Sequence, residues 1–128
     1  MKRESGEAAM GTLVVKNLSF RGRHGYFDFE REFGNNFEID LLFKTDLALA
    51  GQTDCLADTL DYAPASRVVE QVMSGESVRL IETLLARIGA NLMERFPEVT
   101  FLEVRLRKLK PPIHAKCDHV EICDQWHR

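Results

Sequence analysis

A chain of 128 residues with 45% apolar content fits one compact domain that buries about two thirds of the surface its unfolded chain would expose. A net charge of −3 excludes the strongly basic field that nucleic acid or an anionic membrane surface selects, and short apolar stretches broken by charge exclude a membrane span. The opening MKRESGEAAMG lacks the apolar core and cleavage pattern of a secretory signal, and Cys55, Cys117 and Cys123 follow no disulfide framework, so a reducing, cytoplasmic location is expected.

In chain order, residues 1–11 are polar, small and unpatterned, and read as a loose arm ahead of a single folded domain over 12–128. LVVKNLSFRG (13–22) is rich in β-branched and large apolar residues and stops at glycines bracketing Arg23 and His24, which predicts a first strand. NFEIDLLFKTDL (36–47) sets Phe37, Ile39, Leu41 and Phe43 on one face against Glu38, Asp40 and Lys44 on the other, as a half-buried antiparallel strand requires. HGYFDFEREFGNN between them reads as a long hairpin connection. After a polar stretch, DYAPASRVVEQVMSGE (61–76) predicts a helix capped by Asp61, with Pro64 tolerated in its first turn and Gly75 as its stop. SVRLIETLLARIGANLMERF (77–96) predicts a second, longer helix on Leu80, Ile81, Leu84, Leu85, Ile88, Leu92 and Phe96, ended by Pro97. VTFLEVRLRK (99–108) alternates again, Leu102, Val104 and Leu106 against Glu103, Arg105 and Arg107, and HVEICDQW (119–126) supplies a last strand. The order ββααββ is that of an α+β domain. Its sheet has unpaired edges, so association through the sheet is expected.

A few side chains break the local rule. The phase of the third strand puts Lys108 on the apolar face, where a hydrophobe is due. It is either a strand-end lysine that snorkels to water or an amine in a partly desolvated pocket, where burial lowers its pKa into the working range of an acid or base. Lys110 falls in the turn forced by Pro111 and Pro112, and is expected to reach water. Glu82 interrupts an apolar helix start, where either the helix dipole or a ligand accounts for it. Tyr62, next to the capping Asp61, reads by itself as a packing residue, and Glu30, in an acidic aromatic loop, as a solvated carboxylate. His114, Cys117, His119 and Cys123 cluster near the C-terminus without the paired spacing of a structural zinc site, so no metal is expected. Phosphate-cradling glycine loops, a serine nucleophile elbow and a dinucleotide fingerprint are all missing from the sequence.

Four segments, in this order, resemble the dihydroneopterin aldolases of folate biosynthesis over about residues 12–124: HGYFDFEREFG (24–34), TDCLADTLDY (53–62), LIETLLARI (80–88) and KLKPPI (108–113). The resemblance implies the tunnelling fold: a four-stranded antiparallel sheet with two helices on one face, four subunits closing a barrel, and two rings stacking as an octamer. It implies active sites between neighbouring subunits, with Tyr62 and Glu30 serving a pocket whose Glu82 and Lys108 belong to the next chain. The implied substrate is 7,8-dihydroneopterin, cleaved without cofactor, metal or Schiff base. Lys108 would move protons, Glu82 would bind the pterin edge, backbone around Leu60 and Ile81 would complete the ring's contacts, Tyr62 would bind the side-chain hydroxyl or an ordered water, and Glu30 would place a water. Members usually carry small glycines in the last strand where this chain has His119 and Glu121 around Val120, a departure expected to reshape the pocket or the ring contact. A related family that epimerises dihydroneopterin triphosphate at C2′, and a non-catalytic ring that binds a pterin or purine, are the alternatives.

Overall fold

A computed structural model describes residues 10–128. The elements are β1 (Met10–Gly22), α1 (Asp28–Phe33), β2 (Asn35–Asp46), α2 (Ala48–Thr53), a single 3-10 turn (Leu56–Asp58), α3 (Tyr62–Met73), α4 (Ile81–Arg95), β3 (Phe101–Leu109) and β4 (His119–His127). The strands form one antiparallel sheet in the order β1-β2-β3-β4. The α+β, ββααββ reading therefore holds, with the two long helices on one face. β1 begins at Met10, two residues ahead of the expected start, and the rest of the expected arm, residues 1–9, lies outside the described residues.

Period-two patterning builds the core. Phe37, Ile39, Leu41 and Phe43 of β2 and Leu102, Val104 and Leu106 of β3 are all buried on the face that receives Ala65, Val69 and Met73 of α3 and Leu84, Ile88 and Leu92 of α4. Asp61 caps α3 as its type predicts, its Oδ1 accepting from Ala63 N–H at 3.1 Å. Gly89 lets α4 lie against β4, since a Cβ there would come within 2.1 Å of the Trp126 ring.

Two local expectations need correction. Residues 77–80 are not helical, because α4 starts at Ile81 after an extended Leu80 (φ −117°, ψ 139°). Nor is the β1–β2 connection an open loop: it contains the short helix α1. The first change traces to a single buried histidine. His24 Nδ1 accepts from Val78 N–H at 3.2 Å, and its Nε2–H donates to the Met73 carbonyl at 2.7 Å. The ring thereby pulls the segment ahead of α4 into extended form and ties it to the end of β1, while Gly25 N–H adds a bond to the Val78 carbonyl at 2.9 Å.

Candidate active site

At the end of β3, Lys108 stays in phase with Leu102, Val104 and Leu106, paired across the sheet with Phe37 on one side and Val120 on the other. Strand pairing ends just beyond, where Lys110 adopts φ 45° and donates its N–H to the Asp118 carbonyl at 2.9 Å. Pro111, Pro112 and Ile113 then fold back as a wall. Against it stand the start of α4, with Arg79, Leu80, Ile81 and Glu82, and the turn entering α1, with Tyr26 and Phe27. Together they enclose a cavity of about 250 Å³ onto which Lys108 and Glu30 open.

Glu30 is the principal correction to the sequence reading. It is only 2% exposed, not a solvated surface carboxylate. The one-turn α1 folds it back over Gly25, where an added Cβ would sit 2.5 Å from the Glu30 Cδ. Its Oε1 accepts from Phe27 N–H at 3.3 Å, and its Oε2 accepts from Asn35 Nδ2 at 2.9 Å and forms an ion pair with Lys108 Nζ. Burial alone would push this carboxyl up. The hydrogen bonds from Lys108, Phe27 and Asn35, with the lysine's charge, outweigh that and hold it below the ordinary glutamate value. Lys108, its side chain 12% exposed, is accordingly neither snorkelling nor alone. Its companion is a sealed carboxylate, and the pair faces a space large enough for a small ring.

Glu82 sits in the first turn of α4, exposed at the mouth of the same cavity, with Ile81 beside it. A carboxylate in this position has two free acceptor oxygens and a helix N-terminus behind it. The arrangement offers a buried acid–base pair at the floor, a two-acceptor edge at the rim and apolar walls between, as suits a flat heterocycle with adjacent donors.

The Dihydroneopterin aldolase family profile matches residues 13–123. A dihydroneopterin aldolase of Bacillus subtilis (strain 168) is 38% identical over 115 residues, covering 88% of this chain and 96% of that one. The chain belongs to the dihydroneopterin aldolase family. It is accordingly an enzyme, a lyase of folate biosynthesis. The fold agrees: a candidate dihydroneopterin aldolase of Vibrio cholerae superposes with a TM-score of 0.85 at 28% identity, over 93% of this chain and 98% of that one. The Escherichia coli dihydroneopterin aldolase, solved with neopterin, gives 0.84 at 22% identity over 91% and 99%.

Within this aldolase fold, the site residues named from sequence do not all meet. Lys108, Glu30, Glu82 and Ile81 line one cavity of one chain, so Glu30 groups with Lys108 and Glu82 and not, as expected, with Tyr62 across a subunit boundary. The physical reason is α1, which turns the carboxylate inward beneath its own β3. Tyr62 lies apart, 62% exposed at the first position of α3, and Leu60 is buried in the core. The segment carrying them closes on itself through Thr53 Oγ1–H donating to Asp58 Oδ2 at 2.7 Å. Asn35, Arg79 and Ile113 were missed. Only the Gly25 beside His24, in a segment otherwise full of large side chains, hints at the close packing there.

The departures in the last strand also find their place. Val120 pairs with Lys108 and lines the cavity, whereas Glu121 pairs with Arg107 on the opposite face of the sheet. Glu121 Oε1 accepts from Arg107 Nη1 at 3.0 Å, in a network where Arg107 also donates to both oxygens of Asp40 at 2.8 Å, to Glu38 at 3.1 Å and to Asn17 Oδ1 at 2.7 Å. Asn17 is the bulged residue of β1, at φ 60°, and its N–H donates to Asp40 Oδ1 at 2.8 Å. The hydrogen bond to Asp40 chiefly, against the cost of burial and aided by Glu121 and Glu38, holds Arg107 well above the ordinary arginine value. Bulk at residue 121 thus goes into an ion network on the far face, and within this chain it leaves the cavity untouched.

Proposed function

We propose that this aldolase cleaves 7,8-dihydroneopterin between C1′ and C2′, giving 6-hydroxymethyl-7,8-dihydropterin and glycolaldehyde. The observation that carries the reading is the convergence of the Lys108–Glu30 pair and Glu82 on one cavity with apolar walls. Glu82 accepts two parallel hydrogen bonds from the pterin N3–H and 2-amino group, an edge that presents two donors to two acceptor oxygens. Main-chain groups near Ile81 complete the ring's contacts.

The bond cleavage needs a place for an electron pair, and the substrate's own C6=N5 imine provides it. The C1′–C2′ pair becomes the C6=C1′ double bond, the imine π electrons move to N5, and N5 takes a proton from the Lys108 ammonium. The 2′-hydroxyl gives its proton to the Lys108 amine, restoring the ammonium, as C2′ becomes the aldehyde carbon. As the N5 electrons return, C1′ takes a proton from a water placed by Glu30, and the proton on N5 leaves to the hydroxide so formed, which restores the C6=N5 imine and the water. Lys108 suits the N5 step because an ionised Glu30 behind it keeps the ammonium poised at the cavity floor.

A ring assembly accounts for the rest. Tyr26, Leu80 and Ile113 are exposed apolar side chains that line the cavity, and β1 and β4 are sheet edges. We read these as subunit contacts of a tetrameric ring or a stacked octamer closing the barrel, in which Tyr62 and the backbone near Leu60 of a neighbour complete the site. A cytoplasmic location is part of the same reading. Purified protein, supplied with dihydroneopterin and a metal chelator, is expected to release glycolaldehyde. Formation of the C2′ isomer without release would instead indicate an epimerase, and neither product a binding protein.

A further inference from the structure

We infer that Asn35 is a positioning residue: its amide holds the Glu30 carboxylate in a fixed seat from which Lys108 can leave for substrate and to which it can return. The inference rests on the functional reading above for its kinetic consequence, and on geometry alone for the seat itself.

Asn35 is the first residue of β2, and Nδ2 donates both of its hydrogens, to the His24 carbonyl at 2.8 Å and to Glu30 Oε2 at 2.9 Å. Both partners are acceptors only, so the amide orientation is fixed by its surroundings. A residue needed only to close the β1–β2 connection would be satisfied by the His24 carbonyl. The second N–H goes to the one carboxylate oxygen that also contacts Lys108. Oε2 is thus shared between an immobile donor on the sheet and a flexible ammonium that reaches into the cavity.

This sharing matters when Lys108 shifts toward a bound pterin. Oε1 keeps its bond from Phe27 N–H and Oε2 keeps its bond from Asn35, so the carboxylate neither rotates after the lysine nor is left without donors in a buried site. Without Asn35, Oε2 depends on Lys108 alone, and the ammonium is held more tightly by the carboxylate it must leave. The same asparagine joins the two halves of the cavity: the carbonyl it grips belongs to His24, whose ring fixes Val78, four residues ahead of Glu82. Asn35 never lines the cavity, so it acts through Glu30 and not on the substrate.

The test compares the full chain with Asn35→Leu and with Asn35→Asp, which has the same shape but no donor hydrogens and covers the case that the first variant fails to fold. With dihydroneopterin as substrate, kcat is expected to fall by about tenfold or more while KM changes by less than about threefold. In a Glu30→Gln background the same substitution should add less than about twofold, since its effect passes through that carboxylate. A crystal structure of the variant should show Glu30 displaced from its place over Gly25. An unchanged kcat, an effect that multiplies fully with Glu30→Gln, or a Glu30 that keeps its position in the variant would overturn the proposal. Should the unaltered protein prove unable to cleave dihydroneopterin, the functional reading fails, and the position of Glu30 in the variant crystal still decides the seat.

Discussion

Arg107 and Lys108 are adjacent in β3 and point to opposite faces of the sheet, each a cation brought against a buried carboxylate. On the open face, Arg107 spends its planar fork on Asp40, Glu38, Glu121 and Asn17, contributed by all the other strands. On the helix-covered face, Lys108 has the single carboxylate Glu30 and a cavity beside it. The difference teaches how a sheet separates structure from chemistry. A rigid guanidinium with every donor engaged fixes register and has no freedom left, whereas a point charge on a flexible stem, held once and facing open space, keeps freedom to react.

That contrast can be broken from either side, beginning with the largest effect. Lys108→Ala should reduce turnover of dihydroneopterin by about 10²–10⁴, the range for a lost general acid–base group, while pterin binding measured by fluorescence changes far less. Arg107→Leu should do the converse, leaving Asp40 and Glu38 without their cation and lowering stability by about 3–5 kcal/mol in a denaturant titration. Glu82→Ala should raise the pterin Kd by about tenfold or more, through loss of charge-assisted hydrogen bonds at the ring edge, with a smaller change in kcat.

Acid should sharpen the comparison further. Asp40, held down chiefly by its hydrogen bond to Arg107, and Glu30, held down despite its burial, both titrate below their ordinary values of 3.8 and 4.5. The unfolded chain therefore binds more protons than the folded one in that window, so the stabilisation is complete above about pH 4.5 and is lost as pH falls through the folded values. Thermal midpoints measured from pH 6 to pH 3 should drop in the lower part of the range. Lys108→Ala should lessen the drop, since burial then pushes Glu30 upward with less opposition. The smallest effect is expected for Glu121→Gly: a loss of at most about 1 kcal/mol from a partly exposed pair, with kcat and KM unchanged. A changed KM there would mean that the two faces communicate.

Sheet patterning was legible because it is local. Alternation in β2 and β3 locates the core face and puts Lys108 on it, and Asp61 marks the start of α3. What escaped depends on partners far along the chain. Arg107 sits on the polar face by phase and yet is 8% exposed, because acceptors from β1, β2 and β4 converge on it, and no window of sequence contains them all. Glu30 looked solvated because its burying partner, Lys108, lies 78 residues further on. The extended run before α4 scores as helix on apolar spacing, but the ring of His24 claims its Val78 amide first. Asn35 gave no local signal, since one asparagine at a strand start is ordinary until its two acceptors are located.

The glycine at position 89, against which the Trp126 ring is laid, has one more use. Trp126 is the only tryptophan in the chain, and it sits on an edge strand away from the cavity-lining residues. Its ultraviolet emission is therefore a built-in optical gauge of whether the last strand is docked on α4, and it can be followed in every variant above without adding a label.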